Sequence, residues 1–284
     1  MVYMPLGEGF YLETRGARLW VYDSASRRSY SGPTTVFLLH GSPGQASNWK
    51  HVAPLLEQRF RVVVYELRGY GRSSKPPRVS LGDYLEDQDA VMEALGVSGG
   101  DAVLVGHSFG GLVAQEYAAR RRVKALVLVS SLARLEPDLL DRVVWSLPPL
   151  LWRRLLFTEN PLTRRLYRKV FFSDSTPDEV YEEFVADNKE YLESLPPHVF
   201  RYLKYFSGYD ASRSAPRIDA PTLIIVGGDD SVTPPAQSRA LHGMIRCSTL
   251  RVVPGAGHMI LYEKPALLAE EIAGFIESPP RCNV

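Results

Sequence analysis

Three kinds of side chain in this sequence could act together on a carbonyl group: a serine hydroxyl, an imidazole and a carboxylate. Ser108 stands in Gly106-His107-Ser108-Phe109-Gly110, after the apolar run "DAVLV" (101–105) and before "GLVAQEYAARR" (111–121). A hydroxyl is a weak nucleophile unless a base takes its proton and an acid orients that base. Taken alone, the pentapeptide suits a helix cap as well as a nucleophile. A serine on a tight strand-to-helix turn needs neighbours without Cβ atoms, and Gly106 and Gly110 supply them. The helix that follows would bring free N–H groups and its positive end to Ser108.

Among six histidines, His258 is the best base. It follows "PGAG" after a strand-like run, so it sits in a glycine-rich loop at that strand's carboxyl end. Open parallel sheets bind ligands at that edge. His107 adjoins Ser108, but neighbours on such a turn point apart, and His40 suits the pinning of a loop. His51, His198 and His242 carry no partner signal. The acid belongs at the same edge, where "GGDD" closes another apolar run and offers Asp229 and Asp230. An oxyanion needs backbone donors. Phe109 N–H is one candidate; in "HGSPG" (40–44) Ser42 N–H is the second, because Pro43 has no N–H.

The elements that must position these groups can be read from hydrophobic patterning. "GFYLETRG" and "ARLWVYDSAS" read as a hairpin through Gly16. "TTVFLLHG", "RVVVYELRG", "DAVLVGHS", "VKALVLVSS", "PTLIIVGGDD" and "TLRVVPGAGH" are runs apolar at nearly every position, as strands buried on both faces are. Helix-like segments alternate with them: about 48–58, 80–96 with a Ser80/Asp83 capping pair and Gly96 as stop, 110–121, and 263–278. The fold class is α/β: a mostly parallel central β-sheet flanked by helices on both sides. The rhythm breaks at 134–215, which reads as a helical insertion into a core of 1–133 and 216–284. Within it a basic stretch (Arg142 to Lys169) precedes an acidic one (Asp174 to Glu193), as expected of two helices with facing charges. Leu147, Leu151 and Trp152 are candidate pocket residues there.

Composition narrows the partners. The chain has 284 residues, 45% apolar and 23% charged, with net charge +1. That is an ordinary globular composition without the basic face that nucleic acid requires. No apolar stretch reaches membrane-spanning length, and the N-terminus lacks a leader pattern. Cys247 and Cys282 allow one disulfide, but read first as unpaired thiols of a cytoplasmic protein. No metal-ligand or phosphate-loop pattern occurs, so neither metal nor cofactor is expected.

Five motifs in order, "HGSPG", "YELRGYGRSS", "GHSFGG", "GGDDSVTPP" and "PGAGHMILYEKP", resemble those of the α/β-hydrolase fold superfamily, over about residues 34–265. The resemblance implies Ser108 as nucleophile, His258 as base and Asp230 as acid, the last because Gly227 to Asp230 matches the family's Gly-x-x-Asp. It implies that the insertion is a cap domain over the substrate. Glu66 departs from the Asp usual at its position. Serine at 108 argues against the epoxide hydrolase and haloalkane dehalogenase branches. The expected activity is carboxylesterase-like cleavage of a small-molecule ester through an acyl-enzyme. The alternatives are an aminopeptidase resembling proline iminopeptidases on short peptides, with Glu182 or Glu183 reading the amine, a carbon–carbon bond hydrolase or cofactor-free perhydrolase, and a hydrolase-fold ligand receptor.

Overall fold

The computed structural model describes residues 7–136 and 161–280, with the side chains of 161 and 162 left aside. Among them, one sheet runs in the order β1 (Phe10–Thr14), β2 (Ala17–Asp23), β4 (Arg61–Tyr65), β3 (Thr35–Leu39), β5 (Ala102–His107), β6 (Ala125–Val129), β9 (Thr222–Gly227) and β10 (Ser248–Val253). The β1–β2 hairpin turns at Gly16, whose φ of 78° favours glycine. β2 runs antiparallel to β4, and the rest from β4 to β10 are parallel. Side chains alternate across the pleat, so each buried strand feeds two cores. Leu104, Leu126 and Leu128 pack on one face with Leu112 and Val113; Val103, Val105 and Val127 pack on the other with Ile260 and Ile272.

Local chemistry sets most helix ends. α2 (Leu81–Ala94) starts at Ser80, whose Oγ accepts from Asp83 N while Asp83 Oδ2 accepts from Ser80 N. It stops before Gly96, which adopts φ 64°. The helix expected over 48–58 is instead a 3-10 turn, Ala46–Trp49, and the single turn α1 (Ala53–Leu56). Pro54 lacks the N–H that would join them. α3 (Phe109–Ala118) follows β5 without a gap.

Further along, β7 (Arg134–Leu135) pairs antiparallel with β8 (Tyr209–Asp210). Between them lie α4 (Pro161–Phe171), α5 (Asp178–Ser194) and the 3-10 stretch Pro197–Phe206. The expected facing of charges is present: Arg164 pairs with Glu182, and Arg168 Nε lies 3.5 Å from Asp178. α5 is seated on the core by Lys50, whose ammonium lies 2.7 Å from Glu183 and 2.5 Å from Asp187, and by Tyr191 O–H donating to Gly44 O. The remaining α-helices among the described residues are α6 (Pro235–Met244), α7 (Ile260–Glu263) and α8 (Pro265–Glu277). No helix among the described residues is long and apolar enough to cross a membrane. One expectation is corrected: Cys247 is disulfide-bonded and not a free thiol. This removes the argument from cysteine for a reducing compartment, since such bonds persist in oxidising ones.

Candidate active site

Ser108 caps α3 at φ 53°, ψ −120°, a backbone region that side chains rarely adopt. Its surroundings over-determine the turn. Ser108 N donates to Val129 O, and Ser108 O accepts from Gly111 N and Leu112 N. A Cβ on Gly106 would sit 2.3 Å from Gly110 O, and one on Gly110 would sit 2.4 Å from Leu39 O. Both clashes are with backbone, so the two glycines are steric requirements of the turn. As the first residue of α3, Phe109 carries one of the helix's free N–H groups. Its ring is buried against Tyr84 and Phe206, in the core and not among the residues that line the cavity.

His258 lies in the loop between β10 and α7 and is 3% exposed. Its Nδ1 is 2.9 Å from Asp230 Oδ2 and 3.1 Å from Oδ1. Asp230 Oδ1 also accepts from Val232 N and Thr233 N, and Thr233 Oγ1 lies 2.9 Å from Oδ2. Burial alone would raise this carboxyl; the adjoining imidazole and these hydrogen bonds outweigh it and hold it below the usual carboxylate range. Asp229 is exposed and takes a bond from Ser173 Oγ, away from the imidazole. His107 Nε2 donates to His258 O at 2.9 Å, and burial, with help from the second imidazole, pushes His107 down to about 3. A neutral His107 is therefore a fixed donor that braces the His258 backbone.

The loop 40–44 closes the other side. His40 Nδ1 donates to Gly41 O, and its Nε2 accepts from Leu67 N, which fixes one neutral tautomer and pins the turn. A Cβ on Gly41 would stand 3.1 Å from Ser108 Cβ, so this turn packs directly on the serine. Glu66 is buried, paired with Arg72 and accepting from Ala46 N, which gives it a structural place behind the loop.

Ser108, His258 and Ser42 line one cavity of about 70 Å³. Ser108 Oγ makes no hydrogen bond among the described residues. The rest of the wall includes Tyr167 and Phe171 of α4, Phe184, Asn188 and Leu192 of α5, and Met259. Sequence reasoning did not single these out, yet a signal existed: Phe184, Asn188 and Leu192 recur every four residues, on one helix face. Leu147, Leu151 and Trp152 lie outside the described residues. Glu182 and Glu183 are engaged by Arg164 and by Lys50 with His51, and neither lines the cavity. Among the described residues, no cluster of three or more His, Cys, Asp or Glu could hold a metal ion.

Residues 34–265 match the family described as alpha/beta hydrolase fold. A proline iminopeptidase of Pestalotiopsis fici is 26% identical over 260 residues, covering 85% of this chain and 91% of that one. A non-heme haloperoxidase of Rhodococcus erythropolis is 29% identical over 263 residues, covering 86% and 92%. A thermophilic esterase from Thermogutta terrifontis superimposes with TM-score 0.78 at 25% identity, covering 95% of this chain and 98% of that one.

Proposed function

Because this chain belongs to the α/β-hydrolase family, we propose that it is a serine hydrolase that cleaves carboxylic esters of short acyl chains. The observation that carries the reading is the imidazole at 258, bonded to Asp230 and sharing a cavity wall with the strained Ser108. In this reading Asp230 keeps the proton of His258 on Nδ1, leaving Nε2 free to take the Ser108 proton as Oγ attacks the ester carbonyl. Phe109 N–H and Ser42 N–H stabilise the tetrahedral oxyanion. The imidazolium returns its proton to the departing alkoxide. Water, deprotonated by the same imidazole, then releases the acid and restores Ser108. Segment 134–215 acts as a cap that supplies the wall from α4 and α5.

Ester chemistry is favoured over an aminopeptidase because a substrate ammonium calls for a carboxylate at the pocket, and no Asp or Glu is among the described lining residues. The cavity's small volume favours a short acyl group. An engineered cavity about twice as large holds a benzene ring. The test compares p-nitrophenyl acetate, butyrate and octanoate with prolyl-naphthylamide and with peroxide-dependent perhydrolysis of acetate. Acetate or butyrate ester should give the highest kcat/KM. Faster turnover of the prolyl amide or of perhydrolysis would replace this reading with the relatives' activities, and absence of turnover on all would favour a receptor.

A further inference from the structure

Ser42 contributes more than a backbone N–H. Its Oγ lies 2.7 Å from Tyr70 O–H. Tyr70 is fully buried, and its ring is held edge-on by His40 at 5.7 Å and Tyr202 at 5.8 Å, so the hydroxyl is fixed in place. Ser42 is partly exposed and lines the cavity. A buried phenol must keep a hydrogen-bond partner. With Tyr70 donating to Ser42 Oγ, that need is met and the proton of Ser42 is left to point into the cavity. The reverse sense would take from the buried phenol proton its 2.7 Å acceptor. Burial also raises the Tyr70 phenol above its ordinary value, so it stays a donor across the working pH range. Ser42 follows Gly41, which packs on Ser108 itself.

We propose that Ser42 Oγ, oriented by Tyr70, donates a third hydrogen bond to the oxyanion formed on the substrate carbonyl. This deepens the serine hydrolase reading and rests on it. No proton leaves either hydroxyl. The developing charge strengthens a chain of two donors, Tyr70 to Ser42 and Ser42 to oxyanion, because hydrogen bonds in series polarise one another. Ser42 is then a catalytic residue and Tyr70 a positioning residue. A glycine at position 42 would offer the N–H alone.

The test is steady-state kinetics on a short p-nitrophenyl ester, with melting temperatures alongside, for S42A, S42T, Y70F and S42A/Y70F. S42A should lower kcat by roughly a hundredfold with KM little changed, as loss of one oxyanion donor does. Y70F should lower kcat by about tenfold and add nothing once Ser42 is gone, since it acts through that side chain. S42T should restore most of the rate. Binding of a boronic acid transition-state analogue should weaken in step with kcat/KM. A well-folded S42A within about threefold of the parent, or fully additive losses in the double variant, would overturn the proposal. If S42A does not fold, Y70F and S42T decide: parental kcat in a well-folded Y70F overturns it. Ser108→Ala separates the two layers. Activity surviving in Ser108→Ala removes the hydrolase reading, whereas activity lost there but retained in S42A removes only this inference.

Discussion

Replacing Asp230 by Asn alters one atom at the centre of the hydrogen-bond pattern described above. The carboxylate receives bonds from Val232 N and Thr233 N on Oδ1 and faces His258 Nδ1 and Thr233 Oγ1 through Oδ2. The two backbone donors select the amide oxygen for the Oδ1 position, which leaves the amide N–H₂ facing His258 Nδ1. Donor would then meet donor. The imidazole escapes by moving its proton to Nε2, the nitrogen that accepts from Ser108 in the proposed mechanism. Thr233 Oγ1 can keep its bond to Ser130 O at 2.8 Å, so the fold should tolerate the change. In other hydrolases with this constellation the substitution costs about 10⁴ in kcat, or about 5 kcal/mol of transition-state stabilisation. The same loss is expected here, with a melting temperature near the parent's. Asp229→Asn is the control: its carboxylate is exposed and bonded to Ser173, so turnover should stay within about threefold, as for ordinary surface changes. Initial rates on a short p-nitrophenyl ester decide the matter. If Asp230→Asn kept more than a tenth of the activity, or if Asp229→Asn were the more damaging, the reasoning about the imidazole tautomer would be refuted.

Three further predictions concern stability. Gly110→Ala places a Cβ 2.4 Å from Leu39 O and 2.5 Å from His40 O; a loss of about 3 kcal/mol is expected, about 5 °C in melting temperature for a chain of this size, and a parental melting temperature would contradict it. His107 is held down to about 3 in the fold while an unfolded histidine titrates near 6.5. The unfolded chain therefore takes up a proton first as pH falls, and stability drops between about pH 6.5 and 3, by about 3 kcal/mol at pH 4.5. Urea unfolding of His107→Gln, whose amide can still reach His258 O, should show a weaker acid dependence than the parent; an identical dependence would count against the neutral brace. Lys50→Met leaves the mostly buried Asp187 carboxylate without its cation, while the more exposed Glu183 keeps His51; it should cost about 2 kcal/mol, a loss that a parental unfolding midpoint would exclude.

Much of this arrangement was legible from local rules. The strands of the parallel sheet are unbroken apolar runs because both faces are covered, and Ser80 with Asp83 announces α2 through a cap that involves only neighbours. Gly106 and Gly110 could be tied to Ser108 because their constraint is steric and short-range. From the residues alone, Asp229 and Asp230 were equal candidates, and geometry separates them: one faces His258, the other Ser173. The cavity wall from α5 was not foreseen, since its position depends on contacts between residues far apart in the chain, such as Lys50 with Asp187. The stretch 48–58 misled through its composition, which is helical except for Pro54. Two cysteines allow one bond, but nothing local in the sequence separates a bonded Cys247 from a free one.

The central claim is that Ser108 Oγ is the nucleophile and His258 its base. Labelling with a fluorophosphonate, followed by peptide mass mapping, tests it most directly. One adduct on the peptide containing Ser108 is expected, abolished by Ser108→Ala and slowed by orders of magnitude in His258→Ala. Stoichiometric labelling elsewhere, or an active protein that takes up no label at Ser108, would contradict the account.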